Sequence, residues 1–401
     1  MRVLFIGVYA DDETISYVNK HSKKEGSVSI AAIKYTRLIG EGIKEDIGEK
    51  STNLFLVPIG MFPTSKLFLW FPKKKNGNVY IPFINVLVIK QIMIATYLFY
   101  FSMVWCFKNR GDEKRVIIFS FIYLPFLIGI APVKLMKNVF ITTFVPDMPE
   151  YEFSYSKTKF SFKKVLVPLY IGLCKKIVSI TDYFVFITKY MIDSYSKKSY
   201  SIIEGFTDSK IKKDVKVEYS NKKAIMYAGA LFEKFGVKLL INAFIEIKGD
   251  YELWLFGNGD MENEIKMFSE IDSRIKYFGN RPNDEILDFE KKAKLLVNPR
   301  FTNNEFTKYS FPSKLMEYMS SGTPVLTTKL LGIPDDYFDK MFYIESETVE
   351  GVKKSILSCL SKSQEELDLF ANNAKTYVLE EKNNFIQIQK LIKIMDEKLS
   401  K

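Results

Sequence analysis

The sequence is poor in cysteine and histidine and has no strict repeat. Its three cysteines, Cys106, Cys174 and Cys359, lie far apart and are odd in number, which argues against a disulfide framework or a cysteine metal site. A reducing cytoplasm suits them. The only histidine, His21, lies in a lysine-rich polar stretch, so we expect a solvated loop residue rather than a catalytic base. The lack of repeats and low-complexity tracts excludes a solenoid and a disordered chain.

The N-terminal sequence MRVLFIGVYADDET lacks the organisation of a signal peptide. One basic residue precedes a short apolar run, but acidic residues follow where a cleavage site would need small residues. We therefore interpret the apolar run as a first buried strand.

Positive charge is concentrated in the first half of the chain. Residues 1–205 hold 28 Lys and Arg against 16 Asp and Glu, whereas residues 206–401 hold 30 against 31. The first half therefore carries a net charge of +12 and the second a net charge of −1. This asymmetry predicts that the first half meets an anionic partner, either nucleic acid or the negative leaflet of a membrane.

The second half alternates short apolar runs with helix-like stretches from residue 223 onward. The runs AIMYAG, YELWLFG, RIKYFG, KLLVNPR and TPVLTT are separated by GVKLLINAFIEI, MENEIKMFSEI, NDEILDFEKKA and PSKLMEYMSSG. Short strands joined by single helices predict a parallel sheet covered on both faces, which binds ligands at the carboxyl ends of its strands. We therefore expect a Rossmann-like domain.

The first half carries its own strand candidates and predicts a second doubly wound domain. These candidates are VLFIG, NLFLVPI, VIIFSF, NVFITTF and YFVFIT. The polar, lysine-rich stretch that precedes residue 223 is typical of an interdomain connection. We expect an N-terminal domain over 1–205, a C-terminal domain over 206–380, a cleft between them, and a final helix over 381–401 that could pack back on the first domain.

Three apolar segments of the first half raise the question of membrane contact. Residues 92–107 and 116–133 approach the length of about 20 residues that a transmembrane helix needs, but the first is short and the second begins like a strand. We interpret both as core. Residues 160–180 pair lysines beside an apolar stripe, which fits an interfacial amphipathic helix and an ordinary surface helix equally.

The segment NPRFTNNEFTKYSFPSKLMEYMSSGTPVLTT, residues 298–328, is predicted to carry the chemistry. Pro312 suits the first position of a helix, which would leave the backbone amides of Ser313 and Lys314 to bind an anion. The ammonium group of Lys314 adds a positive charge beside them. Glu317 follows one turn later, where its carboxylate could accept hydrogen bonds from both hydroxyls of a ribose.

Several segments of this half resemble retaining glycosyltransferase family 4. GTPVL after the helix that contains Glu317, AGALFEKFGVKLLINAF, ELWLFGNGD and IKYFG match the family in order, and VPDMPEY, DYFVFITKYM and IIEGF are similar to N-terminal segments of capsule and exopolysaccharide members. The resemblance implies an α/β chain of the GT-B fold, with two Rossmann-like doubly wound domains facing across a cleft. It also implies a nucleotide-sugar donor, no obligatory metal or other cofactor, and transfer with retention of the anomeric configuration.

The chain departs from this family at two places. Glu317 matches the second glutamate of the family's Glu-x7-Glu motif, but Tyr309 occupies the position of the first, and Glu305 is a candidate replacement. In GALFEKFG, Ala230 and Phe235 stand where the family usually has an arginine and a lysine. Cationic side chains that could instead stabilise the leaving diphosphate are Lys234, Arg300, Lys308 and Lys314.

Two groups of site residues follow from the residues and the resemblance together. The predicted catalytic residues are Asp147, which follows a strand and could orient an acceptor hydroxyl, Tyr309 and Glu305. The predicted nucleotide-sugar site consists of Gly229, Lys234, Gly257, Arg300, Lys308, Ser310, Ser313, Lys314 and Glu317. Gly229 and Gly257 are expected to let the backbone approach a ligand closely.

The sequence favours a glycosyltransferase that acts on a lipid-linked glycan at the inner face of the bacterial cytoplasmic membrane, with a UDP-sugar as the favoured donor. A nucleic-acid-binding protein is disfavoured because no recognisable module is present. Two alternatives stay open. One is a catalytically inactive GT-B membrane partner of another transferase, which the changes at Tyr309, Ala230 and Phe235 would explain, and the other is a nucleotide-sugar epimerase.

Overall fold

The computed structural model describes residues 1–23, 30–72, 74–75, 77–148, 150, 161–195, 198–211 and 223–398, without the side chains of 161–166. The chain divides into two compact units. The first comprises Met1–Glu204 with Asn384–Lys401, and the second comprises Gly205–Asn383. Most of the connection that we predict before residue 223 lies outside the described residues.

The first unit is built on a parallel sheet of seven strands. The strands of this unit are β1 Arg2–Val8, β2 Ser51–Leu56, β3 Leu69–Trp70, β4 Val79–Tyr80, β5 Phe83–Ile84, β6 Arg115–Phe119, β7 Val139–Val145, β8 Tyr183–Phe186 and β9 Ser199–Ile202. The order in the large sheet is β4-β2-β1-β6-β7-β8-β9, and β3 pairs with β5 in a separate antiparallel ribbon. The central strands are buried along nearly their whole length, because helices cover both faces of a parallel sheet.

The helices of the first unit alternate with these strands. They are α1 Asp12–Lys20, α2 Ile30–Ile47, α3 Leu87–Lys108, α4 Leu124–Ile130, α5 Ser161–Ile177 and α6 Ile192–Tyr195. Residues 116–133 form a strand that turns into a buried helix, as their sequence predicts. His21 is the C-cap of α1, and its ring Nδ1 lies 2.8 Å from the carbonyl oxygen of Tyr17 in an exposed contact.

The C-terminal helix of the chain belongs to the first unit. This helix, Asn384–Lys398, is α13 in chain order and packs against α2. The side-chain amide of Asn384 donates to the carbonyl oxygen of Leu38 at 2.9 Å. A Cβ atom added to Gly42 would lie 2.9 Å from the carbonyl oxygen of Asn384, so only a glycine lets the two helices approach this closely.

The second unit is a doubly wound domain with a six-stranded parallel sheet. Its strands are β10 Ala224–Ala228, β11 Glu252–Phe256, β12 Ile275–Gly279, β13 Leu295–Asn298, β14 Val325–Thr327 and β15 Phe342–Tyr343, and its helices are α7 Val237–Ile245, α8 Glu262–Ile271, α9 Asn283–Lys292, α10 Lys314–Ser321, α11 Val349–Leu360 and α12 Gln364–Glu380. In the order β12-β11-β10-β13-β14-β15, successive strands are added on one side of β10 up to β12 and on its other side from β13 onward, as in a Rossmann fold. The predicted fold class of two Rossmann-like units is therefore confirmed.

The interpretation of residues 92–107 as core is wrong for one face of the helix. Helix α3 is long and apolar enough to cross a membrane by length and composition, and only 22% of its most apolar window is buried. One face, with Ile94, Leu98 and Trp105, is buried, whereas Ile92 and Tyr100 are exposed. An apolar sequence alone does not distinguish a helix that is buried all round from one with an exposed apolar face.

Candidate functional site

The candidate site lies in the second unit, at the carboxyl edge of its sheet. Strands β10, β11, β13 and β14 end at Ala228, Phe256, Asn298 and Thr327. In an open parallel sheet, ligands bind beyond these ends at the point where the strand order reverses, which here lies between β10 and β13. The segment 298–317 connects this edge to the start of α10.

A buried tyrosine fixes helix α10 to the end of β10. Tyr318 is 1% exposed, and its hydroxyl accepts from the Ala228 N–H at 2.8 Å and donates to the Ala228 carbonyl at 3.1 Å. The β10–β13 ladder has its last pair at Met226 and Leu296. The backbone N–H and carbonyl of Ala228 point to the same side of β10 as those of Met226, towards β13, but the β13 ladder has already ended. The Tyr318 hydroxyl therefore supplies the hydrogen bonds that a neighbouring strand would otherwise make to these two groups. Burial keeps the pKa of Tyr318 well above its ordinary value, so the hydroxyl retains its proton.

The first turn of α10 holds an ion pair between the two residues that the sequence analysis singled out. The Nζ atom of Lys314 lies 2.5 Å from Oε2 of Glu317, and the two side chains are 28% and 15% exposed. The helix begins at Lys314 with Ser313 as its N-cap, so the expectation that Pro312 occupies the first helical position is wrong. The amides of Leu315 and Met316 donate to the carbonyls of Pro312 and Ser313.

A second carboxylate, on the neighbouring helix α9, acts on the same lysine. Glu290 is fully buried, and its backbone carbonyl accepts a hydrogen bond from the Thr323 hydroxyl at 2.7 Å. Burial alone would lower the pKa of Lys314, but the charges of Glu317 and Glu290 outweigh burial and raise it. The ammonium group is therefore protonated at neutral pH although its surroundings are partly apolar.

Two further cations of the predicted site meet on one aromatic ring. The Lys234 ammonium lies 5.2 Å, and the Arg300 guanidinium 4.8 Å, from the ring centroid of Phe235. Gly236 follows with φ +79°, and a Cβ atom there would lie 1.8 Å from the carbonyl oxygen of Pro299. The close approach that glycine permits brings the loop before α7 against the residue that precedes Arg300. Phe235, which replaces the usual lysine, thus gathers two positive charges.

The predicted catalytic pair Tyr309 and Glu305 lies in a 3-10 turn, Glu305–Tyr309, that also contains Lys308. The Lys308 ammonium lies 3.3 Å from Oε1 of Glu305 and 4.8 Å from the ring centroid of Tyr309. Hydrogen bonding to Tyr309 and Glu305 raises the pKa of Lys308. The three residues therefore form one local group.

The two serines of the predicted site differ in environment. Ser313 is exposed and its side chain does not cap α10. The hydroxyl of Ser310 is buried, and among the described residues it has no hydrogen-bond partner. A buried hydroxyl in this state is a place where a ligand or a water molecule could donate or accept.

The two glycines of the predicted site contact each other. A Cβ atom on Gly257, whose φ is +122°, would lie 1.9 Å from the carbonyl oxygen of Gly229. The space that the missing side chain leaves at Gly257 is therefore filled by the backbone of Gly229, so the packing of these two loops itself requires a glycine here. At Gly229 the nearest atom to an added Cβ is the Tyr227 hydroxyl at 3.1 Å.

Asp147 belongs to the first unit, two residues after the end of β7, and is exposed. Burial raises the pKa of Tyr35, and the nearby charges of Asp147 and Glu204 raise it further. The carboxylates of Asp147 and Glu204 therefore lie near this buried hydroxyl. Within the described part of the chain, no group of three or more His, Cys, Asp or Glu side chains is arranged to hold a metal ion.

Sequence reasoning missed Tyr318 and Glu290. The signal for Tyr318 was present, because a tyrosine on the apolar face of a helix needs a hydrogen-bond partner for its hydroxyl. The signal for Glu290 was not, since Glu290 looks like one more charge on the polar face of NDEILDFEKKA. Only the packing of α9 beside α10 shows that Glu290 is buried.

The second unit matches a family of known proteins. Residues 222–362 match the model of the family "Glycosyl transferases group 1". A curated relative, the amylovoran biosynthesis glycosyltransferase AmsK of Erwinia amylovora, is 29% identical over 117 residues, which are 28% of this chain and 29% of the relative. The match therefore spans less than a third of that relative's length.

Solved structures match over the whole chain. Sucrose-phosphate synthase from Thermosynechococcus elongatus superposes with a TM-score of 0.67 at 13% identity, and the match covers 100% of this chain and 99% of the synthase chain. HepE from Anabaena, solved in complex with UDP, has a TM-score of 0.63 at 14% identity, and the match covers 99% of this chain and 100% of the HepE chain. These similarities establish the GT-B fold. The family match over residues 222–362 agrees with the resemblance that the segments of the second unit show.

Proposed function

We propose that this protein is a glycosyltransferase whose second unit binds a nucleoside diphosphate sugar. The observation that carries the proposal is the ion pair of Lys314 and Glu317 at the start of α10, within the segment 222–362 that matches the family. A cation and a helix N-terminus suit a diphosphate, and a carboxylate one turn later suits a ribose.

In this proposal the diphosphate approaches the amides at the start of α10 and the ammonium of Lys314. Glu317 keeps its contact with Lys314 while its second oxygen accepts from the ribose. Lys234 and Arg300, which share the ring of Phe235, supply further positive charge as the glycosidic bond breaks and the diphosphate leaves. The solved complex of HepE with UDP supports UDP as the nucleotide to test first.

The proposed chemistry is transfer with retention. Tyr309 would contact the donor sugar in place of the family's first glutamate, with Glu305 as the carboxylate of the same turn. Asp147 would orient the acceptor hydroxyl. No metal is required in this proposal, because lysine and arginine side chains provide the positive charge that the leaving group needs.

The proposed acceptor is a lipid-linked glycan on the inner face of the cytoplasmic membrane, in the synthesis of a surface polysaccharide such as a capsule or an exopolysaccharide. Support comes from the relative named for amylovoran biosynthesis and from the net charge of +12 in residues 1–205. A basic surface and an acceptor in an anionic leaflet are complementary. The protein would then be cytoplasmic and peripheral to the membrane.

A thermal-shift screen against UDP, GDP, ADP and CDP tests the donor site, because a ligand that binds only the folded state raises the melting temperature. We expect a rise with one nucleotide, and its loss in Lys314→Met and in Glu317→Gln. Lys353→Met and Glu350→Gln are matched controls, since these residues form an i,i+3 pair 2.8 Å apart on α11. An equal response in all four variants and the wild type would refute the site.

The inactive-partner alternative is favoured by the replacements Tyr309, Ala230 and Phe235, and a transfer assay separates it from the proposal. The assay follows release of the nucleoside diphosphate from the donor, with and without membrane lipid extract as the source of acceptor. Release that depends on the extract supports a transferase. Nucleotide binding without release supports the inactive partner, and conversion of the donor sugar without any acceptor supports the epimerase.

A further inference from the structure

Helix α3 presents a continuous apolar stripe that the rest of the first unit leaves exposed. Val88, Ile92, Phe99 and Phe107 recur at intervals of about one or two helical turns, Tyr100 follows Phe99, and all five are between 40% and 68% exposed. Monomeric soluble proteins rarely expose apolar side chains in such a row, and a row of this kind marks an interaction surface.

The opposite face of α3 is tied firmly to the unit. The buried ammonium of Lys90 donates to the carbonyl oxygen of Ile59 at 2.7 Å, and the indole N–H of Trp105 donates to the Thr52 hydroxyl at 3.2 Å. A Cβ atom added to Gly129 of α4 would lie 2.6 Å from the carbonyl oxygen of Ala95, so α3 and α4 are in backbone contact. These contacts hold the helix on the surface of the unit and do not suit a helix that crosses a bilayer.

The antiparallel ribbon of β3 and β5 extends the apolar surface beyond the start of α3. Leu69 and Phe71 are 54% and 62% exposed, and the ribbon leads directly into the helix. The side-chain amide of Asn85 donates to the carbonyls of Gly60 and Leu67, at 2.7 and 2.8 Å, and so fixes the ribbon beside the helix start. The stripe and the ribbon form one surface, which we call the α3 surface.

Exposed cations flank both ends of the α3 surface. Residues 50–111 contain eight Lys and Arg and no Asp or Glu, although Lys90 is buried and Lys75 pairs with Asp11 and Glu13 of the preceding segment. Lys66 and Lys74 are exposed near the ribbon, and Lys108 and Arg110 are exposed near the C-terminal end of the helix. An apolar stripe between cationic ends is the pattern of a helix that lies in the plane of an anionic membrane interface.

We propose that the α3 surface docks on an anionic lipid bilayer, with α3 parallel to the membrane plane. The proposal deepens the proposed function, and rests on it, by naming the surface that brings the enzyme to a lipid-linked acceptor. A second copy of the chain is a poorer occupant, because a two-fold contact would bring the exposed cations at the two ends of this surface against one another, and like charges that face one another repel. Lipid phosphates supply the missing negative charge.

Co-sedimentation of the full chain with vesicles, in the absence of nucleotide, tests the proposal. One set of vesicles is phosphatidylcholine alone, and the other is phosphatidylcholine with an equal part of phosphatidylglycerol. We expect binding to the anionic vesicles that weakens as salt is added, because the lysine contribution is screened. Val88→Glu with Ile92→Glu should lower the partition coefficient about a hundredfold, about tenfold for each side chain withdrawn from the interface.

The matched control is Met267→Glu with Ile271→Glu on α8. These two side chains also lie four residues apart, are also exposed, and belong to the second unit. The control should bind vesicles like the wild type, and both double variants should keep the wild-type circular dichroism spectrum. A wild type that stays in the supernatant, or equal losses in both double variants, would overturn the proposal.

Light scattering separates self-association from lipid binding. The wild type could be dimeric and fail to bind vesicles, while the Val88→Glu, Ile92→Glu variant is monomeric. This result would assign the α3 surface to a second copy of the chain and overturn the proposal. Failure of the proposed function is distinguishable, because it would leave vesicle binding intact while no nucleotide raises the melting temperature. Lys314→Met should likewise lose the nucleotide response and keep vesicle binding.

Discussion

Replacing Tyr318 with phenylalanine tests how the second unit holds helix α10 in place. The substitution keeps the buried ring and removes only the hydroxyl, which accepts from the Ala228 N–H and donates to the Ala228 carbonyl. Both backbone groups lie beyond the last β10–β13 pair, so no strand replaces the lost contacts. Two backbone groups would then be buried without partners.

The expected loss of stability follows from these two groups. A buried polar group that loses its hydrogen bond costs about 1–2 kcal/mol, so Tyr318→Phe should destabilise the second unit by about 2–4 kcal/mol. Each 1.4 kcal/mol is a factor of ten, which corresponds to amide exchange that is faster by about 30-fold to several hundredfold. Melting alone is a poor measure, because a chain with two units need not unfold in one step.

Hydrogen exchange of the Ala228 amide, followed by mass spectrometry or NMR, is therefore the assay. Tyr251→Phe is the control, since Tyr251 is partly buried against the core of the same unit and should change exchange by less than about threefold. Tyr318→Phe should also weaken the response to nucleotide, because Glu317 precedes Tyr318 on the helix. Unchanged exchange at Ala228 would show that the hydroxyl does not anchor α10 and would refute the reasoning.

Three further predictions concern Lys90, Gly257 and Glu290. Burial lowers the pKa of Lys90 to about 8 from an ordinary value of 10.5, so between these two pH values the unfolded chain binds the proton more strongly than the folded chain. The free energy of unfolding of the wild type relative to Lys90→Met should therefore rise with pH across this window by up to about 3 kcal/mol. The same free-energy difference at both ends of the window, measured by chemical denaturation, would contradict this. Gly257→Ala should destabilise the second unit by at least about 3 kcal/mol, because φ is +122° and the added methyl group would meet the Gly229 carbonyl. Amide hydrogen exchange in the second unit that matches the wild type would disprove this. Glu290→Gln removes one of the two charges that raise the pKa of Lys314. The pH above which nucleotide affinity falls, measured by calorimetric titration, should therefore be lower than in the wild type. A pH profile that matches the wild type would show that Glu290 does not act on this lysine.

The strands of both sheets could be predicted because each is a short apolar run between polar segments. VLFIG and AIMYAG, for example, correspond to β1 and β10, which are buried on both faces. Among the strands that sequence reasoning missed are the edge strands β4 and β15, each of two residues. A run of two residues has too few positions to show a period.

The candidate site was predictable in its residue types and only partly in its arrangement. Lys314 and Glu317 could be selected because they lie three positions apart, about one turn of a helix. The structure places their side chains in contact. The meeting of Lys234 and Arg300 on Phe235 could not be foreseen, since these residues are far apart in sequence and approach only because Gly236 packs against Pro299.

The sequence by itself determined what depends on neighbours along the chain: the alternation of strands and helices, the order of the family segments, and the excess of positive charge in the first half. The tertiary structure decided what depends on residues brought together from distant segments. It buried Glu290 beside Lys314, set the Tyr318 hydroxyl on the backbone of β10, and left one face of α3 exposed. Local periodicity reports which face of an element is apolar, but only packing determines whether another part of the chain covers that face.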